Sequence, residues 1–367
     1  MNINPIANKL FQFGKAIMVI LVLALLMGQV NYFQLWPLEV LVSFLPYVLI
    51  CYILFAAILL FASSDLLIRR GEKIKAIKLT ALIIAGSLVF IQIPLFYFAR
   101  PVGLLSGSTY SSLGLTKNED KIGKNLRVAF FNKKFSNTSY TVINKALVEV
   151  NSDIIGFAEI SEQDIAALPE LKNYPYRLSS LDGMGSQTSQ PVLIALFSKY
   201  ELTKVEPSLS IVFPVIQATV AFNTRYSANV ILVHTTAPIS QSYLLQRNAQ
   251  LTALAKHVAT DNLNGFYRQP TTIMGDFNLS PWSGAYSDFL YKINSANKSA
   301  ASQVSYTNAA HGRGIKSTWA YQDAAIASTQ IDHIFSNVGY NNMSGLTTYD
   351  SVDLGSDHKL IYTDLSI

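Results

Sequence analysis

The sequence predicts an α/β protein that is tethered to a membrane by a helical N-terminal region. Half of the 367 residues are hydrophobic and only 14% are charged, whereas roughly 25% is typical of soluble globular proteins. The apolar residues are concentrated in the first hundred positions. From about residue 125 onwards, short apolar runs alternate with amphipathic helical patterns. That alternation is typical of sheets flanked by helices.

Three apolar segments near the N-terminus are each long enough to cross a bilayer, which takes about 20 residues. They cover about 16–33, 38–62 and 76–99. The second and third contain Pro46 and Pro94, and membrane helices tolerate proline because neighbouring helices satisfy the freed carbonyl. A cleaved signal peptide is the alternative for the first segment, but no small-residue cleavage site follows it. We therefore expect three transmembrane helices.

The basic residues predict how these helices are oriented, because Lys and Arg are enriched in cytoplasmic connections. The connection near 31–37 has none, and basic residues precede the first segment and separate the second from the third: Lys9, Lys15, Arg69, Arg70, Lys73 and Lys75. The N-terminus is therefore expected in the cytoplasm. With three spans of the inner (plasma) membrane, the chain after Arg100 is expected in the periplasm or outside the cell.

Charge and cysteine content limit what the remaining chain does. Residues 101–367 contain 20 Lys or Arg and 20 Asp or Glu. A neutral domain lacks the broad basic field of a tight, non-specific nucleic-acid binder, which weakens a nuclease interpretation without excluding it. The single cysteine, Cys51, lies in the second predicted span, so the exported domain is expected to fold without a disulfide.

A linker and one domain are predicted after the membrane region. Residues 101–124 are rich in Gly, Ser and Thr, which favours a linker. In 125–367 the strand-like runs include LRVAFFN, DIIGFAEI, ANVILVHTTAP, TTIMGDFN, QIDHIFSN and KLIYTDLSI. Helical patterns include TVINKALVEVN, SYLLQRNAQLTALAKHVATD and SDFLYKINSA. YRLSS and VLIALFSK are expected to pair as a hairpin around the Gly- and Ser-rich loop 182–190.

Polar side chains suited to metal-assisted hydrolysis stand at the ends of the predicted strands. In chain order they are Asn132, Glu159, His234, Asp276, Asn278, Asp332, Asp357 and His358. Carboxylates supply hard oxygen ligands for a divalent cation, and imidazole is a general acid or base near neutral pH. In GDFN, Asp276 and Asn278 lie two positions apart and face the same side of an extended chain. Gly275 permits a close approach of backbone or ligand.

The order and spacing of these motifs resembles the endonuclease/exonuclease/phosphatase superfamily of DNase I-like and exonuclease III-like proteins. The resemblance covers about 125–367, and RNAQLTAL, the WS after GDFNLSP, and STW are similar to its membrane-anchored bacterial branch. It implies a DNase I-like four-layer α/β sandwich of two mostly antiparallel sheets flanked by helices, preceded here by three transmembrane helices. The family usually has Gln before the acid at Glu159, where this chain has Ala158.

The resemblance implies catalytic roles for five residues. His358 is implied to be the general base that activates water, and Asp332 to hold its imidazole tautomer. Asp276 is implied to orient the nucleophile or a metal, and Asn278 to stabilise developing charge on phosphorus. His234 is implied to donate to a phosphate oxygen or to the leaving oxygen.

The resemblance also implies a divalent-metal site. Glu159, Asp357 and Asn132 are the implied ligands or ligand-bridging groups, with Mg²⁺ as the cofactor and Mn²⁺ as an alternative. Arg313 in HGRGIKSTW either contacts a substrate phosphate or lies in solvent.

Two further histidines are not expected in the site. His333 is adjacent to Asp332 in the strand and should point to the opposite face, so it is expected to pack in the interior. His257 lies within the longest helical pattern and is expected to be solvated or to cap the helix.

These expectations combine into a membrane-anchored, metal-dependent phosphoesterase that hydrolyses its substrate by in-line attack of water. The substrate is left open between nucleic acid and a phospholipid or glycolipid head group. The loop 182–190 contains no aromatic residue and offers no stacking platform for bases. The alternative is a catalytically inactive family member that acts as a membrane-anchored binding or scaffold protein. Apart from the bilayer and a phosphoester substrate, no protein partner is predicted.

Overall fold

A computed structural model describes most of the chain after residue 124. The described ranges are 34–55, 125–180, 194–205, 213–263, 269–295, 305–312, 315–321, 328–339 and 342–367, with single positions between 13 and 86. Arg313, the linker predicted at 101–124, the loop 182–190 and most of the first and third predicted spans lie outside the described residues.

Residues 34–55 contain two helices with a sharp bend between them. Helix α1 is Trp36–Ser43 and α2 is Leu45–Phe55, and the two are bent by 81°. Among the described residues, no single helix is long and apolar enough to cross a membrane, although this bent pair has the length and composition together. The break at Phe44 precedes Pro46, whose ring clashes with the carbonyl four residues earlier. The segment 38–62, predicted as one span, is therefore divided here.

The described part of the domain after residue 124 contains fourteen strands and four α-helices. In chain order the strands are β1 (Asn125–Asn132), β2 (Ile154–Ala158), β3 (Tyr176–Ser179), β4 (Ile194–Ser198), β5 (Glu201–Lys204), β6 (Val215–Ala221), β7 (Ser227–His234), β8 (Thr271–Asp276), β9 (Thr307–Asn308), β10 (Trp319–Ala320), β11 (Ser328–Thr329), β12 (Asp332–Ser336), β13 (Thr347–Thr348) and β14 (Ile361–Ser366). The helices are α3 (Tyr140–Val150), α4 (Glu162–Ala166), α5 (Gln241–Leu263) and α6 (Gly284–Ser295), with a 3₁₀ helix at Pro169–Asn173.

Twelve of these strands form two six-stranded sheets, and each sheet has one parallel pair of strands among antiparallel pairs. One sheet has the order β13-β14-β1-β2-β4-β3 and the other β5-β6-β7-β8-β12-β9, while β10 and β11 pair separately. In each large sheet one pair is parallel, β1–β2 or β7–β8, and the other pairs are antiparallel. The prediction of two mostly antiparallel sheets is confirmed, and so is the predicted pairing of β3 with β4.

The two sheets pack face to face and each is covered on its outer face by helices. In β1, Val128 and Phe130 point to the core between the sheets, while Ala129 and Phe131 point to the core beneath α3. Both faces of this strand are buried, which explains why its sequence is almost continuously apolar. Burying each large apolar side chain contributes about 1.5–3 kcal/mol.

The outer helices are amphipathic at the expected spacing. Ile143, Leu147 and Val150 form one face of α3 and are buried against the first sheet. On the second sheet, α5 and α6 bury residues such as Leu254 and Phe289. The result is the predicted arrangement of helix, sheet, sheet and helix layers.

His333 and His257, the two histidines that were not expected in the site, are both buried. His333 accepts at Nδ1 from Asn308 (2.8 Å) and donates from Nε2 to the Leu279 carbonyl (2.7 Å), as its predicted packing role requires. Burial lowers the pKa of His333 to about 4, so the ring is neutral at pH 7. The expectation for His257 was wrong: it is fully buried and hydrogen-bonded to Gln217 of β6, because α5 packs onto the sheet.

Gly275 is a position where the fold requires glycine. Its φ is +151°, and an added Cβ would lie 1.9 Å from the carbonyl oxygen of Val233 on the neighbouring strand. The predicted close approach at this residue is thus an approach of backbone. We expect Gly275→Ala to lower the free energy of unfolding by about 2–4 kcal/mol, measured by thermal and urea unfolding of the full chain.

A matched control for this prediction is Gly156→Ala. The atom nearest an added Cβ there is the end of a flexible side chain, Leu232 Cδ1 at 2.5 Å, which can rotate away. Its loss of stability is expected to be smaller. Equal unfolding curves for Gly275→Ala and the natural protein would contradict the steric explanation.

Candidate active site

Three of the predicted site residues are held side by side by the register of the second sheet. His234 pairs with Asp276 across the parallel β7–β8 ladder, and Asp276 pairs with Asp332 across the antiparallel β8–β12 ladder. Residues paired in register point to the same face of a sheet. Both aspartates are buried, with no more than 1% of their surface exposed. The sheet therefore presents two carboxylates and an imidazole in one row.

Asn132 joins this row to the first sheet. It is the last residue of β1, and its Nδ2 donates to Glu159 Oε1 (3.0 Å) and to Asp276 Oδ2 (3.1 Å). Glu159 follows the end of β2 directly, beside Asn132, because β1 and β2 are parallel neighbours. One amide thus bridges carboxylates that come from different sheets.

Two site residues adopt left-handed backbone conformations. The φ angle is +54° at Glu159 and +46° at Asn278, a region that costs non-glycine residues about 1–2 kcal/mol. Local hydrogen bonds offset this cost. Glu159 Oε2 accepts from the Phe135 amide (3.0 Å), and the Asn278 amide donates to Asp276 Oδ1 (2.8 Å). These conformations turn the chain at the strand ends and orient the side chains.

Asn278 is also fixed by its side chain. Its Nδ2 donates to the backbone carbonyl of Thr235 (2.9 Å), the residue after His234. The amide that the resemblance assigns to charge stabilisation is therefore held in one orientation by the backbone of the residue after His234.

His358 and Asp332 form the predicted imidazole–carboxylate pair. His358 Nδ1 lies 3.0 and 3.1 Å from the two carboxylate oxygens of Asp332, and Nε2 lies 3.7 Å from Asp276 Oδ2. The second imidazole, His234, places its Nε2 3.7 Å from Asp276 Oδ2 and 3.9 Å from Glu159 Oε1. Both rings thus direct one nitrogen at the Asp276 carboxylate.

The buried charges shift each other's pKa. Burial and then the negative charge of Asp332 raise the pKa of Asp276 to about 6. Burial alone would lower the pKa of His358, but the charge and hydrogen bond of Asp332, followed by Asp276 and Asp357, outweigh it and raise the pKa to about 9. Without a bound cation, His358 is therefore protonated at pH 7.

Asp357 has a different environment from the other predicted metal ligands. Its carboxylate lies 3.6 Å from Lys134 Nζ and accepts from Trp319 Nε1 (3.2 Å). Among the described residues, the potential ligand atoms that lie within 4.8 Å of one another belong to Asp276, Asp332 and His358. Asn132 and Glu159 are thus brought together, while Asp357 contacts a lysine and a tryptophan.

The donor set fits a hard divalent cation. Glu159, Asp276 and Asp332 bring carboxylate oxygens towards one region, and such oxygens are the ligands that Mg²⁺ prefers. Carboxylates that are buried together are costly unless a positive charge compensates them. The raised pKa of Asp276 expresses that cost.

Two residues to which the sequence assigned no role in the site hold it together. Gln250 on α5 accepts from the Thr236 amide (2.8 Å) and donates to its hydroxyl (2.9 Å), which fixes the loop after His234. Thr318 Oγ1 accepts from the Ile331 and Asp332 amides, both at 3.0 Å. Both residues lie in motifs, RNAQLTAL and STW, that resemble the family. The motifs show that these positions match the family, but they do not show which groups the side chains contact, because those groups are remote in sequence.

The comparison with protein families agrees with this geometry. The model of the endonuclease/exonuclease/phosphatase family matches residues 125–358, more than half of the chain. The chain belongs to this family. No curated protein matches the sequence at a significant level.

Solved structures share the fold at low sequence identity. The 3′-5′ exonuclease NExo from Neisseria meningitidis has a TM-score of 0.50 and 16% identity, over 66% of this chain and 100% of that chain. TDP2 from C. elegans has a TM-score of 0.50 and 15% identity, over 68% and 77%. The Neisseria 3′ phosphatase NExo, bound to a product DNA hairpin, has a TM-score of 0.50 and 17% identity, over 65% and 99%. At these identities the likeness shows the fold alone.

The electrostatic coupling of His358 to Asp332 is directly testable. In Asp332→Asn the negative charge is lost while burial remains, so the pKa of His358 is expected to fall well below its value of about 9. The measurement is an NMR titration of ¹³C-labelled histidine rings in metal-free protein.

His333 is the internal reference for this titration. Its low pKa is caused mainly by burial, so its titration is expected to change much less. If His358 titrated at the same pH in both proteins, Asp332 would not be the group that controls its proton.

Proposed function

We propose that this chain is a divalent-metal-dependent phosphoesterase that hydrolyses a phosphoester by in-line attack of water. The observation that carries the proposal is the His358–Asp332 pair, whose second imidazole nitrogen faces Asp276 at 3.7 Å. A base oriented by one carboxylate and facing a group of others is suited to removing a proton from water near bound phosphate. Family membership over residues 125–358 supports the same chemistry.

In the proposed mechanism His358 accepts the proton of the attacking water at Nε2. Asp332 stabilises the imidazolium that forms, through the hydrogen bond to Nδ1. Asp276 orients the water, and His234 and Asn278 donate to phosphate oxygens as negative charge develops in the transition state.

A metal ion would complete this site. We propose that Mg²⁺, with Mn²⁺ as a substitute, is held by Glu159 and Asn132, with Asp276 beside them across the Asn132 bridge. Asp357 would join them by exchanging its contacts with Lys134 and Trp319 for the ion. When bound, the ion would act as a Lewis acid on the phosphate, and its charge would lower the pKa of His358 towards that of a working base.

We also propose that the N-terminal hundred residues anchor the chain in the inner membrane, followed by a linker (101–124) and the catalytic domain (125–367). The apolar segments and the distribution of basic residues support this arrangement. With the N-terminus in the cytoplasm, the connection between the first two spans lies on the same side as the catalytic domain. Contacts between α1 and that domain support placing this connection and the domain on the same side of the membrane.

The substrate is proposed to be a phosphoester of nucleic acid or of a phospholipid or glycolipid head group. The neutral domain and the membrane anchor favour a lipid, whereas the DNA bound to the Neisseria 3′ phosphatase favours nucleic acid. Arg313, which lies outside the described residues, is proposed to contact phosphate. The alternative remains a catalytically inactive scaffold.

The enzyme proposal predicts metal-dependent hydrolysis by the purified full chain. Bis-p-nitrophenyl phosphate and p-nitrophenyl phosphate are offered with Mg²⁺ or with EDTA. Turnover is expected only with the metal, and His358→Ala is expected to lower kcat by about 10²–10⁴-fold because the general base is lost. Preference for the diester over the monoester would direct the search towards lipids and nucleic acids.

Two variants that each replace a glutamate by its neutral amide form a matched pair for metal binding. Electron paramagnetic resonance measures how tightly each protein binds Mn²⁺. Glu159→Gln is expected to weaken Mn²⁺ binding, whereas Glu201→Gln on the exposed side of β5 is expected to leave it unchanged. If the natural protein showed neither turnover nor metal binding, the scaffold alternative would replace the enzyme proposal.

The proposed topology predicts where the C-terminus lies. Alkaline phosphatase fused after Ile367 is expected to be active in bacterial cells, because this reporter folds only outside the cytoplasm. A fluorescent protein that folds only in the cytoplasm, fused at the same position, is the control. Activity of the second reporter alone would reject an exported catalytic domain.

A further inference from the structure

A buried ion pair connects the N-terminal helix α1 to the catalytic domain. Arg247 on α5 is fully buried, and its Nη1 donates to Glu39 Oε1 of α1 at 2.7 Å. Glu39 is itself 8% exposed, and its other oxygen accepts from Ser283 Oγ (2.9 Å). The remaining guanidinium nitrogens, Nε and Nη2, donate to Asn248 Oδ1 at 3.1 and 2.7 Å. The buried charges are therefore paired and hydrogen-bonded.

The same guanidinium reaches the active site. Arg247 Nη1 also donates to the backbone carbonyl of Asn278 at 2.7 Å. Asn278 has a left-handed φ of +46°, and its amide is bonded to Asp276. One nitrogen of Arg247 is thus shared between a carboxylate of α1 and a carbonyl in the turn that carries two site residues.

The C-terminal end of α1 lies next to a second part of the site, through Thr329 and Trp319. Thr329 Oγ1 on β11 donates to the Ser43 carbonyl (2.7 Å), and the rings of Phe44 and Trp319 lie 6.4 Å apart. Trp319 in turn donates to Asp357. At both ends, α1 is separated from a site residue by a single side chain.

We propose that α1 is a structural part of the active site, in which Glu39 is a positioning residue that acts through Arg247 on the Asn278 turn. The inference rests on the proposed phosphoesterase function, and it adds a residue from the N-terminal region to that machinery. Removing the Glu39 carboxylate takes away the negative charge that pairs with the buried Arg247 guanidinium. The guanidinium then shifts towards other oxygens or water, and the Asn278 carbonyl loses a fixed donor.

The expected effect is on the chemical step. A displacement of about 1 Å in a catalytic group costs on the order of 10²-fold in rate. Asn278 is proposed to act on the developing charge of the transition state, so its displacement lowers kcat more than it raises KM. An anchor without a positioning role would change the melting temperature and leave kcat unchanged at temperatures where the protein is fully folded.

The experiment compares three variants of the full chain at a temperature well below their melting temperatures. With bis-p-nitrophenyl phosphate and Mg²⁺, Glu39→Ala is expected to lower kcat by about 10–100-fold while KM changes by less than about threefold. Glu39→Gln keeps an oxygen acceptor without the charge and is expected to fall between Glu39→Ala and the natural protein. Val40→Ala, next to Glu39 on the exposed side of α1, is the matched control and is expected to retain kcat.

A second measurement does not depend on activity. Amide hydrogen exchange of the peptide 275–283 reports the turn that holds Asn278, and it is expected to become at least about tenfold faster in Glu39→Ala but not in Val40→Ala. Unchanged exchange together with unchanged kcat would overturn the inference. If Glu39→Ala does not fold, Glu39→Gln decides: natural kcat and natural exchange in that variant would also overturn it.

The two proposals fail in different ways. If the phosphoesterase proposal is wrong, the natural protein and Val40→Ala are inactive too, and hydrogen exchange alone decides whether Glu39 holds the turn. If only the role of Glu39 is wrong, all four proteins hydrolyse the diester with the same kcat.

Discussion

The candidate active site depends on holding carboxylates from two sheets together in a buried space. Asn132 does this with one amide group, which donates to Glu159 from the first sheet and to Asp276 from the second. Like charges in a medium of low polarity repel each other strongly, so the bridge works only because both sheets are fixed by the core between them. The geometry of the site therefore depends on the core, because the packing of the two sheets sets the distance that the Asn132 amide spans.

Much of this arrangement was predictable from sequence because strand ends are readable. The strands of the two sheet centres are buried on both faces, so they appear as apolar runs, and the first polar residue after each run marks the sheet edge. Asn132, Glu159, His234 and Asp276 were all located in this way, whereas Asp332 and His358 stand before a strand: Asp332 is the first residue of β12 and His358 precedes β14. The alternation of side chains along β12 also separated Asp332 from His333, which lies in the core.

The remainder was not predictable, because it depends on contacts between residues remote in sequence. Glu39 and Arg247 are 208 positions apart, and no periodicity relates them. The segment that holds Glu39 was assigned to a membrane span on its hydropathy, yet the helix breaks before Pro46 and its acidic side chain is buried against the domain. His257 was misassigned for a similar reason: its partner Gln217 comes from β6, and nothing in the helical pattern indicates that contact.

The buried Glu39–Arg247 pair is expected to add little to the stability of the fold, but it fixes the positions of the groups that it contacts. Replacing a buried ion pair by apolar residues of similar volume is often neutral or stabilising, because desolvation offsets the attraction between the charges. A guanidinium, however, offers fixed donors in one plane, and here that plane links Glu39, Asn248 and the Asn278 carbonyl. An apolar contact could hold α1 on the domain, but it could not define where a carbonyl beside the catalytic groups lies. The main effect of the ion pair is therefore to fix the position of the Asn278 carbonyl, and with it the turn that carries Asp276 and Asn278.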